Sequence, residues 1–336
     1  MAGTGVLVGR ARAAHTSRTS APSLPRVCFR GHSVNAILRP ASPGSAATSV
    51  TLPSGTSRPG GTIRSMLLGI DHLVIAVTDP DAAAAELEAE LGLAATGGGR
   101  HDAGTHNRLV FLGDAYLELI GVWDRALALA HPIGAAVVRA LDAGAPGLVT
   151  YALATDGARR EVMALRAAGS PISDVVAGSR LRPDGEAVAW QCAFPPLLGP
   201  AEPPFLIEHE LSGAEWGEEA RRARASFVHP FGGTARLVGL ELVVPDPRAA
   251  AAAYASTVGI AVPPGPGAVP GEREVRIGEH SVRLVPTGGD PAGEPAPSEP
   301  AASEPAASEP AARLGISATA GKRVLCDLFG IRFARL

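Results

Sequence analysis

The sequence predicts an α+β chain built from tandem βαβββ modules that pair through curled mixed β-sheets. Three stretches carry that prediction. Gly69-Ile70-Asp71-His72-Leu73-Val74-Ile75-Ala76-Val77-Thr78-Asp79-Pro80, with the alanine-rich run to Gly92, reads as a strand, an Asp-Pro turn and a helix closed by glycine. Residues 239–261 repeat it nearly in step: Leu240 stands for Leu73, Val244 for Val77, Asp246-Pro247 for Asp79-Pro80 and Gly259 for Gly92. A fainter copy keeps the frame, with Leu148-Val149-Thr150-Tyr151-Ala152-Leu153 before Asp156 and Gly169 as far beyond it as Gly92 lies beyond Asp79.

Composition narrows the function classes. The 336 residues are 46% hydrophobic, ordinary for a globular protein with room for two or three cores. Residues 1–65 hold eight arginines and no acid, so the remainder has 22 basic residues against 33 acidic ones. A body this acidic is a poor nucleic-acid binder. Cys28, Cys192 and Cys326 are too far apart for a zinc knuckle or a disulfide framework, which suits a reducing cytoplasm. No apolar run reaches the roughly 18 residues of a membrane helix.

Taken in order, residues 1–65 are Ser-, Pro-, Gly- and Arg-rich without periodicity and are expected to be disordered. They read either as a transit peptide or as a stretch upstream of a start at Met66; the second is preferred, because Met66 opens the first module without a spare residue. Residues 66–235 should hold two modules. In the first, 67–122, a helix over 81–91 puts Leu87 and Leu91 one turn apart, with Glu86, Glu88 and Glu90 outward. Gly97-Gly98-Gly99 ends it, and strands 108–112 and 115–120 follow, joined at Gly113-Asp114. A connector over 123–146 is helical through 133–141. The second module, 147–211, carries Val162 and Leu165 on its helix and late strands at 187–194 and 205–211. A polar helix and a His229-Pro230-Phe231-Gly232-Gly233 turn fill 212–235.

Residues 236–336 should form a second half. Its module, 236–288, ends in strands at 274–277 and 281–285. Residues 289–312 carry Ser298-Glu299-Pro300-Ala301-Ala302 and two further tandem copies, an acidic tract expected to be a solvated loop. The tail, 313–336, reads as a truncated module pairing with the third, with a short helix through 324–328. Gly321-Lys322 is not a phosphate loop, since Arg323 stands where Ser or Thr is needed.

In a curled module, inward residues of the first and last strands converge. His72 and Glu118 are the polar residues so placed, and an imidazole with a carboxylate suits zinc or a divalent transition metal. The bland alternatives are a strand-start histidine bonded to backbone and a glutamate facing water. The polar stretch from Gly97 to Asn107 offers Arg100, His101, His106 and Asn107 to an oxygen-rich or anionic ligand, with a plain turn-rich loop as the alternative.

Ile70-Asp71-His72-Leu73-Val74, Gly99-Arg100-His101 with Gly104-Thr105-His106-Asn107, and Tyr116-Leu117-Glu118-Leu119 together resemble the glyoxalase-like domain of the vicinal oxygen chelate superfamily. Pro204-Phe205-Leu206-Ile207-Glu208 and His229-Pro230 are similar to its later motifs. The resemblance implies βαβββ modules paired into open, curled sheets of the glyoxalase/bleomycin-resistance/dioxygenase-like kind. It also implies a divalent metal (Zn, Mn, Ni or Fe) chelating two neighbouring substrate oxygens. Carried over residue by residue, it makes His72, Glu118 and Glu208 metal ligands, with Glu210 on the face of Glu208 and His209 on the other. Val149 stands at the second first-strand position and cannot ligate; the third module offers Gly239 and Arg283.

The preferred function is therefore a metal-dependent isomerase, lyase or dioxygenase. Its metal polarises a substrate oxygen, Glu208 or Glu210 moves a proton as base, and His106 completes the ligand set in the dioxygenase case. The alternatives are a binder that sequesters a small molecule and a metal-free relic. The expected partners are a small molecule and a second copy of the chain as a homodimer, with neither nucleic acid nor membrane.

Overall fold

The computed structural model describes residues 67–265, 270–287 and 312–336. The expectations for 1–65, for the start at Met66 and for the repeat tract lie outside the described residues. The first module is β1 (Leu67–Ala76), α1 (Pro80–Leu91), β2 (Gly97–His101), β3 (Thr105–Leu112) and β4 (Ala115–Val122). The connector holds α2 (Arg125–Leu129) and α3 (Pro132–Asp142). The second module is β5 (Gly147–Thr155), α4 (Ala158–Ala167), β6 (Val176–Leu181), β7 (Ala187–Ala193) and β8 (Phe205–His209), followed by α5 (Gly213–Trp216) and α6 (Glu218–Ala225). The remainder is β9 (Ala235–Val244), α7 (Pro247–Val258), β10 (Arg273–Ile277), β11 (His280–Pro286), β12 (Ala312–Ala318), β13 (Val324–Leu328) and β14 (Ile331–Arg335).

The repeated phrase folds alike because its capping chemistry is alike. Asp79 accepts from the backbone N–H groups of Asp81 and Ala82 at 2.9 and 3.2 Å, and Asp246 from those of Arg248 and Ala249 at 2.8 and 3.1 Å. A proline follows each cap, and each helix ends on a left-handed glycine, Gly92 at φ 66° and Gly259 at φ 70°. The faint copy has Asp156-Gly157 instead, and Gly157 gives no side-chain cap. Glu208 reaches over from β8 and accepts from Ala158 N at 2.8 Å.

The first two modules close into an eight-stranded barrel, β1-β4-β3-β2-β6-β7-β8-β5, in which β1 runs parallel to β4 and antiparallel to β5. The β2–β6 seam is short, pairing Arg100 with Leu181 and His101 with Arg180, and Arg180 Nη1 donating to Gly98 O at 2.6 Å reinforces it. The rest forms a six-stranded sheet, β10-β11-β9-β12-β14-β13, where β9 pairs antiparallel with β12 as β1 does with β5. This sheet stays open.

One apolar core fills the space between the barrel's outer face and the second sheet. Leu73, Leu117 and Leu153 meet Leu240, Leu314 and Phe333 there, and α1, α4 and α7 contribute Leu87, Val162 and Val258. Each fully buried aliphatic side chain stabilises by about 1.5–3 kcal/mol. Tyr151 and Tyr254 join the halves through their hydroxyls, 3.0 Å apart.

Two expectations change. Residues 324–328 form β13 rather than a helix, because the turn Phe329-Gly330 has positive φ at both residues (52° and 63°), the hairpin geometry that returns the chain as β14. Burial alternates accordingly, with Cys326 and Leu328 inside and Leu325 and Asp327 outside. Residues 97–107 are two strands with a turn between them, not a loop: Gly98 and Gly99 pair with Arg108 and Asn107.

Candidate functional site

Strand alternation decides which side chains enter the barrel. β3 sends in Thr105, Asn107 and Leu109; β4 sends Tyr116, Glu118 and Ile120; β8 sends Phe205, Ile207 and His209. They surround a cavity of about 500 Å³ whose walls are largely apolar, with Trp190, Phe194 and Trp216 prominent. The more exposed of its lining residues include Asp102, Ala177 and Ser179, with His131 and Ile133 half-buried.

β1 breaks the alternation. Against β5 it pairs Ile70 with Leu153 and then His72 with Ala152, so Asp71 is one residue too many. Such a bulge turns two consecutive side chains to one side. Asp71 and His72 are both buried and in contact, with His72 Nδ1 2.6 Å from Asp71 Oδ1. The same oxygen takes His209 Nε2 at 3.0 Å. With both rings donating to Asp71, His72 presents Nε2 to Glu118 Oε2, 3.5 Å away; this tautomer is assigned from the hydrogen bonds. The bulge is part of the repeat: β9 carries its extra residue, Val238, at the position of Asp71.

Glu118 is held from β3. Asn107 accepts from Gly99 N at 2.9 Å, which turns its Nδ2 to donate to Glu118 Oε1 at 2.6 Å. His101 Nδ1 contacts Thr105 Oγ1 at 2.7 Å, and its Nε2 lies 3.4 Å from Asn107 Nδ2 and 3.8 Å from Glu118 Oε1. Burial pushes the His101 imidazole down to about 4, against the pull of Glu118, so the ring is neutral at neutral pH. Burial pushes the Asp71 carboxyl up, but its electrostatic attraction to His209 and His72 and the hydrogen bonds they donate outweigh that and hold it well below the usual carboxylate range. Burial, then Asp71 and Glu118, push the Tyr116 hydroxyl well above its ordinary value, so it keeps its proton. Tyr116 stacks on His72 at 4.6 Å and Trp216 on His209 at 3.7 Å, fixing both imidazoles.

The structure thus brings His72, Glu118, His101 and Asn107 together. It does not bring in the other four expected residues. Glu208 faces outward and caps α4, since the inward parity of β8 belongs to its neighbour His209. Glu210 lies past the end of β8, exposed, with Ser212 Oγ donating to it at 3.4 Å. Arg100 points out and lies 3.9 Å over the Trp123 ring, and His106 is on the outer face beside Gly121 and Pro80. Asp71, His209 and His131 are additions that strict alternation hides or leaves unremarked. The signal for Asp71 was an acid next to a histidine in an otherwise apolar strand.

A family model for the glyoxalase-like domain matches residues 70–258, more than half the chain. The chain belongs to the glyoxalase-like domain family. The curated proteins offer this family member no match. Among solved structures, a hypothetical protein from Staphylococcus aureus superposes with TM-score 0.59 at 13% identity, covering 80% of this chain and 99% of its own. Methylmalonyl-CoA epimerase from Mycobacterium tuberculosis matches at TM-score 0.33 and 21% identity, over 43% of this chain and 89% of its own. A Streptomyces coelicolor methylmalonyl-CoA epimerase in complex with 2-nitronate-propionyl-CoA gives 0.33 and 19%, over 42% and 94%. The S. aureus likeness, at 13% identity, shows a shared fold and nothing finer. Among the described residues, no helix is long and apolar enough to cross a membrane.

The family implies a divalent metal. Two ligands of one ion, bonded at about 2.0–2.2 Å in tetrahedral geometry, stand roughly 3.4 Å apart. His72 Nε2 and Glu118 Oε2 have that spacing, and Asp71 on His72 Nδ1 is the carboxylate support that metal-binding histidines use. The pair fits two positions of an ion's shell. It does not make the fuller set: among the described residues no three His, Cys, Asp or Glu form a metal-holding group, and Val149 and Ile207 fill the paired module's places with apolar side chains.

Proposed function

We propose that the chain is an enzyme that moves a proton on a small molecule bound in the barrel, in an isomerase or lyase type of reaction. The observation that carries this reading is the relay from buried Asp71 to His72 to Glu118, the last two of which line the cavity. Asp71 holds the ring by Nδ1 and stabilises the imidazolium that forms when Nε2 takes a proton from substrate. Glu118, fixed by Asn107, orients the group that loses the proton. The apolar walls exclude water and strengthen both effects.

The metal-dependent form is the second reading, favoured by the 3.5 Å spacing of His72 and Glu118. They would hold the ion, which would supply Lewis-acid polarisation of a substrate oxygen. Metal analysis after reconstitution separates the two forms: one ion per chain, lost in His72→Ala, supports the second.

Proton transfer itself is tested by solvent exchange. Hydroxy and oxo compounds are incubated with the protein in D2O and their C–H signals followed by NMR. Exchange that vanishes in a folded His72→Ala variant supports the enzyme. A ligand that raises the melting temperature but never exchanges or turns over supports a sequestering protein on the same fold.

A further inference from the structure

The charges around the cavity restrict what it can hold. Three carboxylates line it, Asp102 at the rim and Glu118 and Glu215 within, and Asp71 lies directly behind His72. Arg180 is the one arginine among the lining residues, and no lysine is among them. Its side chain is 3% exposed, with Nη2 on Glu215 and Nη1 on Gly98 O. An anion entering here would meet Glu118 and Asp102, while the one lining arginine is already paired with Glu215, a cost in an apolar enclosure.

The polar floor is also rich in acceptors. Glu118 receives a hydrogen bond from Asn107 on Oε1, while Oε2 faces His72 Nε2. His209 donates from Nε2 to Asp71, which leaves Nδ1 as an acceptor, and that atom is buried without a partner. His101 Nε2 also accepts, from Asn107. The donors along the lining, among them the Tyr116 hydroxyl and the indole N–H groups of Trp190 and Trp216, are neutral. Trp190, Phe194 and Phe205 supply apolar aromatic surface that takes a ring, while Trp216 is already stacked on His209 with Arg224 over its ring.

We infer that the substrate is an apolar, ring-bearing molecule whose polar end is a hydrogen-bond donor, a hydroxyl or an amine, and that carboxylates, phosphates and coenzyme A esters are excluded. This rests on the proposed reading of the cavity as the ligand site and adds the chemical class. The donor head sits at Glu118 and the ring against Trp190, Phe194 and Phe205, with Asp102 and His131 towards the entrance.

The test uses three probes of one skeleton, 2-phenylethanol, 2-phenylethylamine and phenylacetate, titrated by NMR into the full chain, Glu118→Gln and the rim variant Ile133→Ala. The expected result is that the alcohol and the amine bind about tenfold or more tightly than phenylacetate, and that Glu118→Gln erases most of the preference. Phenylacetate binding equally or better, with Ile133→Ala weakening it, overturns the class while the cavity reading stands. Binding of no probe that either variant alters overturns both.

Discussion

Asp71 and His209 meet across the width of β5, with His209 Nε2 donating at 3.0 Å to the same carboxylate oxygen that holds His72. Two imidazoles on different modules are thereby tied to one buried acid. Removing its charge should loosen both. Asp71→Asn keeps the shape but leaves at best one ring correctly held, and proton exchange should fall by about a hundredfold or more. Circular dichroism checks that the fold survives; an exchange rate within twofold of wild type would sever Asp71 from the site.

His101 gives the stability a pH dependence of known sign. Burial lowers its folded pKa to about 4 from 6.5, so between those values the unfolded chain binds a proton that the folded chain refuses. Stability is fully present above pH 6.5 and declines as pH falls towards 4, by at most about 1.4 kcal/mol per pH unit from this group. Urea titrations at several pH values, compared with His101→Asn, should show that part of the slope disappear.

Arg180 and Glu215 form a buried ion pair, 3% and 4% exposed, which joins β6 at the barrel seam to α5. Arg180→Met leaves the acid buried beside Arg182 alone and should cost about 3–5 kcal/mol. The double variant with Glu215→Leu should recover much of it. Chemical denaturation measures both.

Glu208 separates structure from chemistry. Glu208→Ala removes the acceptor at the first turn of α4 and should cost about 1 kcal/mol while exchange activity stays at the wild-type level. Glu210→Ala should change neither, as measured by melting temperature and the same NMR assay.

Most of the fold was legible because the repeat carries it in capping residues. Asp79-Pro80 with Gly92, and Asp246-Pro247 with Gly259, fix where each helix starts and stops. The hidden part was register. A bulge cannot be read from alternation, which would put Asp71 and His72 on opposite faces although the two side chains lie together. The parity of β8 is a similar case: either Glu208 or His209 had to point inward, and only the pairing of β8 with β5 and β7 chooses His209. His72 and Glu118 were readable because one is the sole imidazole and the other the sole carboxylate of an otherwise largely apolar strand. Residues 324–328 misled because five residues suit either a helical turn or a strand, and the hairpin at Phe329-Gly330 decides.

The account stands on Asp71 holding His72 with Nε2 turned to Glu118. Two-bond proton–nitrogen NMR of labelled protein at neutral pH reads this directly. The prediction is a His72 ring protonated on Nδ1, with a downfield hydrogen-bonded proton that disappears in Asp71→Asn. A His72 proton on Nε2, or an Nδ1 signal unmoved by Asp71→Asn, would contradict it.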